Sequence, residues 1–556
     1  MSSHRKTRTT TALALTRLQD VGATIAEICA VSGTPGLSYG VLHEGRVLHT
    51  GNFGHRNVEA QLPPTSDTRY AIGSLTKAFT AAAVGILVED GKTTWDASVR
   101  DVLGDGFHFS NPTLTQQMSV LDVLSHRMGL QRSNQLWHGN DNTLLLEKSK
   151  VIPHMQYIKT VQPFKSTVHY SNWGYALAGA IIEKLSGDSW GTYVEKGLLA
   201  PLHMNDSDSI KSADHDNFAK PYTVLDDHSF QLLPSLNVQA GSIMDSSQSI
   251  RSTVNDMLKW CQALVKAYSD QQKTGQGHSA GSPLKQLSKQ MSGLTPFAKP
   301  FDTDSAYGMG WVRAQLPAIL GAVGCNPGFV KSMPTAGRGS EETIIYHQGS
   351  LAGYTSSLFL IPHTQSAIVV LSNSISLNDC ADWVGQLILE ALLDVEERND
   401  YVEHAKESAD AHLARYPAMR ESFEASRSPD TKPKSLDAFL GKYYNELGDF
   451  YIEITPNQQS NGLQLAFQGL DSQIWKMEHY QHDSFLWLMS RDEAVSRARF
   501  PYSPEKLYKL DFLANEGGEI DSLLWAHDAD GPPEKFHRST GGETHLRASS
   551  QKPLAV

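Results

Sequence analysis

The stretch Ile72-Gly73-Ser74-Leu75-Thr76-Lys77 decides how this chain is to be read. It opens a run whose apolar positions, Leu75, Phe79, Ala82, Ala83, Ile86 and Leu87, recur at helical spacing and stop at Asp90-Gly91. The spacing predicts a helix with Ser74 at its N-terminal start and Lys77 one turn on, on the same face. A serine hydroxyl is a weak nucleophile, and a neighbouring amine can take its proton. The helix start adds backbone N–H groups and partial positive charge where an oxyanion would form. The S-x-x-K pattern alone carries little, because it recurs at Ser3/Lys6, Ser282/Lys285, Ser503/Lys506 and Ser549/Lys552. None of those copies opens an amphipathic run, and Pro283 and Pro504 interrupt two of them. An isolated pair of that kind reads as a capping serine beside a solvated lysine.

Two later stretches give Ser74 its context. Tyr170-Ser171-Asn172 precedes a helical run from Trp173 to Leu185, and His347-Gln348-Gly349-Ser350 lies on a strand rich in Ile and Tyr. Tyr443-x-Asn445 and His43-x-Gly45 match the same short patterns. The first lies in a separate β-rich region and the second in a hairpin turn before Ser74, so both read as structure.

Working outward, residues 1–16 read as a polar, mobile tail, followed by a helix from about Arg17 to Ala30. A hairpin pairs Leu37–Leu42 with Val47–Gly51. The pattern is then largely helical from Ser74 to about Gln262, and strands return at 343–347, 354–361 and 367–371. A helix with Trp383, Leu387, Ala391, Leu392 and Val395 on one stripe closes the region. The fold class expected is α+β: an antiparallel sheet made from both chain ends, flanked by helices, with an inserted helical subdomain. This catalytic domain spans 17–398. Residues 399–435 are charged, poor in large apolar side chains and end in Ser-Pro-Asp-Thr-Lys-Pro-Lys-Ser, the composition of a linker with some helical content. Short alternating strands over 436–540 predict a second, β-rich domain, with 541–556 as a tail. Few core contacts are expected to cross the linker, so a chain ending near Ser435 should keep its serine chemistry.

Composition excludes several classes. With 40% hydrophobic and 19% charged residues, the chain of 556 residues is globular, and its length calls for two or three domains. A net charge of −12 and the lack of a basic stripe argue against a nucleic-acid partner. The apolar run Ala12–Leu15 falls short of the roughly 7–15 residues of a secretory core. No stretch approaches the ~18 apolar residues of a membrane span, so a cytoplasmic protein is expected. Cys29, Cys261, Cys325 and Cys380 are scattered and read as buried free thiols. Among 22 histidines there is no H-E-x-x-H or other metal spacing, and no nucleotide or dinucleotide fingerprint appears. Neither a metal nor a cofactor is expected. His126 reads as a residue that orders the turn before Gly129.

S-x-x-K with a later S-D-N and K-T-G marks penicillin-binding proteins and serine β-lactamases. On those three stretches the chain resembles the class C β-lactamases and related esterases, D-aminopeptidases and transesterases. The segments Met118–Leu130, Ser252–Met257 and Tyr307–Trp311 look like further landmarks of the family, from about residue 20 to 398. Residues 436–540 look like the lipocalin-like domain that often follows such a hydrolase domain. The resemblance implies Ser74 as nucleophile, Lys77 as its proton partner and Tyr170 as the acid or base that relays a proton to the leaving group. It implies that Asn172 holds substrate or Lys77, that Ser74 and Ser350 N–H groups form an oxyanion hole, and that Gly349 gives the acyl group room. The chain departs from the β-lactamase pattern at His347, where a lysine would provide a fixed cation for the substrate. A serine hydrolase of a small carboxylic ester or amide is the leading expectation. An acyltransferase or transesterase of secondary metabolism would use the same acyl-enzyme, and a non-catalytic binding module is the alternative of another class. Substrate and oligomeric state stay open. Ser74→Ala is expected to abolish covalent labelling by a serine-directed phosphonate, read by intact mass; labelling at another serine would refute the assignment.

Overall fold

A computed structural model of the chain describes residues 2–209, 216–235, 237–301 and 303–539. Two units emerge: Met1–Arg132 with Glu147–Tyr416 and Arg491–Pro501, and Ser133–Leu146 with Pro417–Ser490 and Tyr502–Val556.

The first unit is built on an eight-stranded antiparallel sheet of β1 (Gly36–His43), β2 (Arg46–Gly54), β3 (Thr295–Pro296), β4 (Ser305–Tyr307), β5 (Val312–Gln315), β6 (Thr343–Leu351), β7 (Tyr354–Ile361) and β8 (Ser366–Ser372). Its order is β2-β1-β8-β7-β6-β5-β4-β3, so strands from both ends of the unit meet where β1 pairs with β8, Tyr39 opposite Val370. The β1–β2 hairpin turns on Glu44-Gly45, both at positive φ, the conformation of a tight hairpin turn. Leu37, Tyr39 and Val41 of β1 join a core with the helices α1 (Ser2–Asp20), α2 (Gly22–Ser32) and, near the end of the unit, the helix Cys380–Leu393. Gly40 lies on the other face, where an added Cβ would stand 2.6 Å from Val254 of the helix Val254–Thr274. That glycine lets the helix approach the sheet. Between the sheet strands lie α3 (Thr76–Glu89), buried on nearly every side, and α4 (Asn172–Ser186), capped by Ser171, whose hydroxyl accepts the Gly174 N–H. The α+β class with its helical insertion is what the sequence predicts.

Two stretches carry more helix than the sequence expectation gave them. The residues read as an N-terminal tail, 1–16, are helical from Ser2, because no breaker precedes Gly22 and Ala14 and Leu18 bury against the core. Arg17 Nε donates to the Ala391 carbonyl at 2.9 Å and satisfies the end of the Cys380–Leu393 helix. The stretch read as a linker, 399–435, contains the long helix Tyr401–Ala425. Its Tyr401, Ala405 and Ala409 are buried, and Ser408 accepts the Trp383 indole N–H at 3.2 Å. The units divide inside this helix, at Tyr416 and Pro417. The first unit also takes in Arg491–Pro501.

The second unit is a closed antiparallel barrel of β9 (Gly441–Tyr444), β10 (Tyr451–Asn457), β11 (Gly462–Phe467), β12 (Ile474–Gln481), β13 (Ser484–Leu486), β14 (Lys509–Ala514), β15 (Ile520–Trp525) and β16 (Glu534–Arg538). Closure comes from β9 pairing with β16, Tyr443 opposite Arg538. This is the β-rich domain predicted from the alternating pattern; the tail at 541–556 lies outside the described residues. Stacked rings fill the barrel: Phe467 and Trp525 lie 5.1 Å apart, and Phe450 and Trp525 6.1 Å apart. The indoles of Trp487 and Trp525 both donate to the Leu507 carbonyl, at 3.0 and 2.9 Å. Residues 133–146 join this unit through Asn140, whose N–H donates to Gln473 Oε1 at 2.7 Å, and Ser133, whose N–H donates to Asp528 Oδ2 at 2.8 Å.

Among the described residues no helix is long and apolar enough to cross a membrane, and no group of three potential metal ligands occurs. The four cysteines are free. Trp525→Ala should cost roughly 3–5 kcal/mol by opening a cavity among the stacked rings. Chemical denaturation followed by tryptophan emission checks this, and an unchanged midpoint would show that the rings do not carry the barrel.

Candidate active site

Ser74 is held on a single 3₁₀ turn, Gly73–Leu75, that leads directly into α3. Lys77, on the first turn of α3, is fully buried. Its Nζ lies 2.9 Å from Ser74 Oγ, 2.8 Å from Asn172 Oδ1 and 3.1 Å from the Ser247 carbonyl oxygen. Burial holds the lysine well below its ordinary pKa. A neutral amine has two N–H groups and one lone pair. The two oxygens that can only accept, Asn172 Oδ1 and Ser247 O, take the N–H groups. The lone pair is left facing the Ser74 hydroxyl, which can donate to it.

Tyr170 completes the group. The Lys77 Nζ stands 4.9 Å from the centre of its ring. Burial pushes the phenol well above the ordinary tyrosine value, and a hydrogen bond with the Ser74 side chain pulls the other way. That burial disfavours the phenolate form of Tyr170. Burial thus disfavours the charged form of both partners.

The strand β6 approaches Ser74 through backbone alone. An added Cβ on Gly349 would lie 2.4 Å from the Ile72 carbonyl and 3.0 Å from Ser74 N. One on Gly73, which has φ +53, would lie 2.9 Å from Ser350 N. Two glycines thus bring the N–H groups of Ser74 and Ser350 to one place, and the Ser356 hydroxyl ties the junction by donating to the Ile72 carbonyl at 2.9 Å.

His347 behaves differently from the other motif residues. It is fully buried, and burial pushes its pKa down to about 3. Its Nδ1 lies 2.5 Å from the Gln348 carbonyl and must carry the proton, so Nε2 accepts the Tyr307 hydroxyl at 3.0 Å. The structure thus brings Ser74, Lys77, Tyr170, Asn172, Gly349 and Ser350 together, and leaves His347 as a neutral support behind them.

A β-lactamase family model matches residues 21–392. The chain belongs to the β-lactamase family. A second model, a domain of unknown function (DUF3471), matches residues 425–538. Among curated relatives, an unguisins hydrolase from Aspergillus campestris is 26% identical over 65% of this chain and 62% of its own length. Another from Aspergillus violaceofuscus is 23% identical over 74% of this chain and 72% of its own. This chain thus spans about 62% of the first of those relatives. The octameric penicillin-binding protein homologue from Pyrococcus abyssi shares the fold, with a TM-score of 0.55 at 20% identity, over 93% of this chain and 99% of the other.

This β-lactamase-family site also uses residues that the sequence motifs do not mark. Ser247 contributes only a carbonyl oxygen, which any residue type can supply. His126, read from sequence as ordering a turn, holds the backbone on both sides of Tyr170. Its carbonyl accepts the His169 N–H at 2.7 Å, and its Nδ1 accepts the Ser171 N–H at 3.2 Å. Its ring lies 4.2 Å from that of Tyr170. Cradling a histidine in a turn at φ +55 is a signal that only the fold reveals. Gly349→Ala is expected to lower acylation of Ser74 by roughly 10²–10³-fold, the scale of a lost oxyanion donor. Stopped-flow ester cleavage measures it, and wild-type acylation would show that the backbone approach is not needed.

Proposed function

We propose that the chain is a serine hydrolase that cleaves a small carboxylic ester or amide through an acyl-Ser74 intermediate. The observation that carries this reading is the fully buried Lys77 Nζ, set 2.9 Å from Ser74 Oγ and held by Asn172 Oδ1 and the Ser247 carbonyl, where burial favours the neutral amine that can accept the hydroxyl proton. Lys77 takes the hydroxyl proton as Ser74 Oγ attacks the carbonyl carbon. The N–H groups of Ser74 and Ser350 donate to the developing oxyanion. As the tetrahedral intermediate collapses, the Tyr170 phenol gives its proton to the leaving alcohol or amine and regains one from Lys77. Water then attacks the acyl-enzyme, losing its proton to the same pair, and Ser74 is restored. Family membership and the hydrolase relatives support the hydrolytic reading. An acyltransferase would differ only in an alcohol or amine entering in place of water, and the same acyl-enzyme serves it. A non-catalytic module would have no need of the Lys77 arrangement. Incubation with a chromogenic ester panel and a phosphonate, with intact mass read afterwards, tests the proposal; no adduct and no turnover would overturn it.

The buried neutral His347 provides no fixed cation for a substrate carboxylate. Short aryl esters are therefore expected to turn over much faster than penicillins or cephalosporins, and comparable rates on the two would refute this use of His347. The pH dependence follows from the two shifts. Activity requires Lys77 unprotonated, so kcat/KM should fall as pH drops through its depressed pKa. Tyr170 must stay protonated, so the rate should hold into alkaline pH, with no fall below the ordinary phenol range. Lys77→Arg, which cannot lose its proton, should cost roughly 10²–10⁴-fold. A pH–rate profile of wild type and variant checks both.

A further inference from the structure

The segment matched by the domain of unknown function contains Arg491–Pro501, which the chain makes only after the barrel strand β13, yet these residues belong to the catalytic unit. Arg491 is almost completely buried there. Its guanidinium donates to Asp226 Oδ1 at 2.9 Å and to the Val224 carbonyl at 3.0 Å. The Asp226 N–H returns a bond to Asp492 Oδ1 at 2.8 Å, and the Ser496 hydroxyl donates to Gln231 Oε1 at 2.8 Å. A buried guanidinium with such partners fixes position as well as holding the segment in place.

Ala498 then turns the chain at φ +57, a left-handed conformation that alanine adopts only under constraint. It is fully buried in a small apolar cluster with Leu233, Ala352 and Ile375, separate from the main core, with Phe500 packed against it. Ala352 and Gly353 form the turn between β6 and β7. Ser350, whose N–H faces Ser74, lies two residues before Ala352. The same turn is held by Gly353, where an added Cβ would stand 2.3 Å from Pro221, and by Tyr354, whose hydroxyl donates to the Ala219 carbonyl at 2.6 Å.

We propose that the C-terminal domain serves the Ser74 site by supplying residues 491–501 as a brace for the Ala352–Gly353 turn, with Arg491 and Ala498 as positioning residues for the Ser350 N–H. The inference rests on the acyl-Ser74 reading above. It assigns the domain a role in forming the tetrahedral intermediate, and it accounts for a buried arginine and a strained alanine placed far along the chain from the motifs they support.

In the full chain, Arg491→Ala and, separately, Ala498→Leu are compared with wild type on an aryl ester. The expected result is a fall of about 10–100-fold in kcat with KM changed less than about 2-fold, the signature of a misplaced transition-state donor. Arg491→Lys should recover part of the loss. A wild-type measurement stands beside these in case a variant does not fold. Phosphonylation of Ser74 should slow amide hydrogen exchange at residues 350–354 and 491–501 and leave the barrel strands unchanged. Folded variants with wild-type kcat, or phosphonylation that leaves 491–501 untouched, would overturn the brace while the acyl-Ser74 reading stands. A wild-type chain that forms no Ser74 adduct would overturn both.

Discussion

The burial of one amine organises the site. Lys77 sits where water cannot reach it, so its charged form is costly, and the fold meets the neutral form with the Asn172 side-chain oxygen and the Ser247 carbonyl as acceptors for its two N–H groups. These come from two different segments of the helical insertion, α4 and the turn around residues 245–248. The insertion must therefore be assembled before the amine has a defined direction. The Ser74 hydroxyl is set against a positioned amine through that assembly, and the same serine is only a helix-start residue without it. The Asp245 carboxylate beside Ser247 is in turn held by Lys148 at 2.7 Å, which carries the constraint one layer further from the chemistry.

The sheet and the insertion meet at a backbone junction. Side chains at positions 73 and 349 would force the 3₁₀ turn and β6 apart, so the close approach of the Ser74 and Ser350 backbone depends on these two glycines. Tyr170 is placed differently. It stands between two N–H groups that His126 accepts, and its ring lies against the imidazole. The Ser74 hydroxyl, the backbone of Ser74 and Ser350, and the Tyr170 ring are thus placed by three separate devices: a buried amine, a glycine contact and a histidine clamp.

Much of this was legible in the sequence, for physical reasons. An amphipathic run beginning at Ser74 has a helical period, and its serine and lysine fall on one face whatever the rest of the chain does. Tyr170, Asn172 and Gly349 were singled out because two later short motifs follow Ser74 in the order that the resemblance to serine β-lactamases implies. The supports were hidden. Ser247 acts through its backbone, so its side chain gives no clue. The role of His347 could not be read from alternation, because β6 is buried on both faces and shows none. The extent of the helix Tyr401–Ala425 was not legible within a stretch read as a linker with some helical content, because charges separate Tyr401, Ala405, Ala409 and Tyr416, although these buried positions fall at helical spacing. The pairing of Arg491 with Asp226 joins residues far apart in sequence, which no local pattern can announce.

The exchange of segments also bears on how the protein is made. On a ribosome the sheet, the insertion and all the motif residues emerge before the barrel does. The patch formed by Leu233, Ala352 and Ile375 then waits uncovered until residue 498 has been synthesised, and residues 133–146 wait for Gln473 and Asp528. At the usual pace of about 5–20 residues per second, that interval lasts several seconds or more. Neither unit can finish folding by itself during translation, so the nascent chain depends on late synthesis to bury surfaces made early.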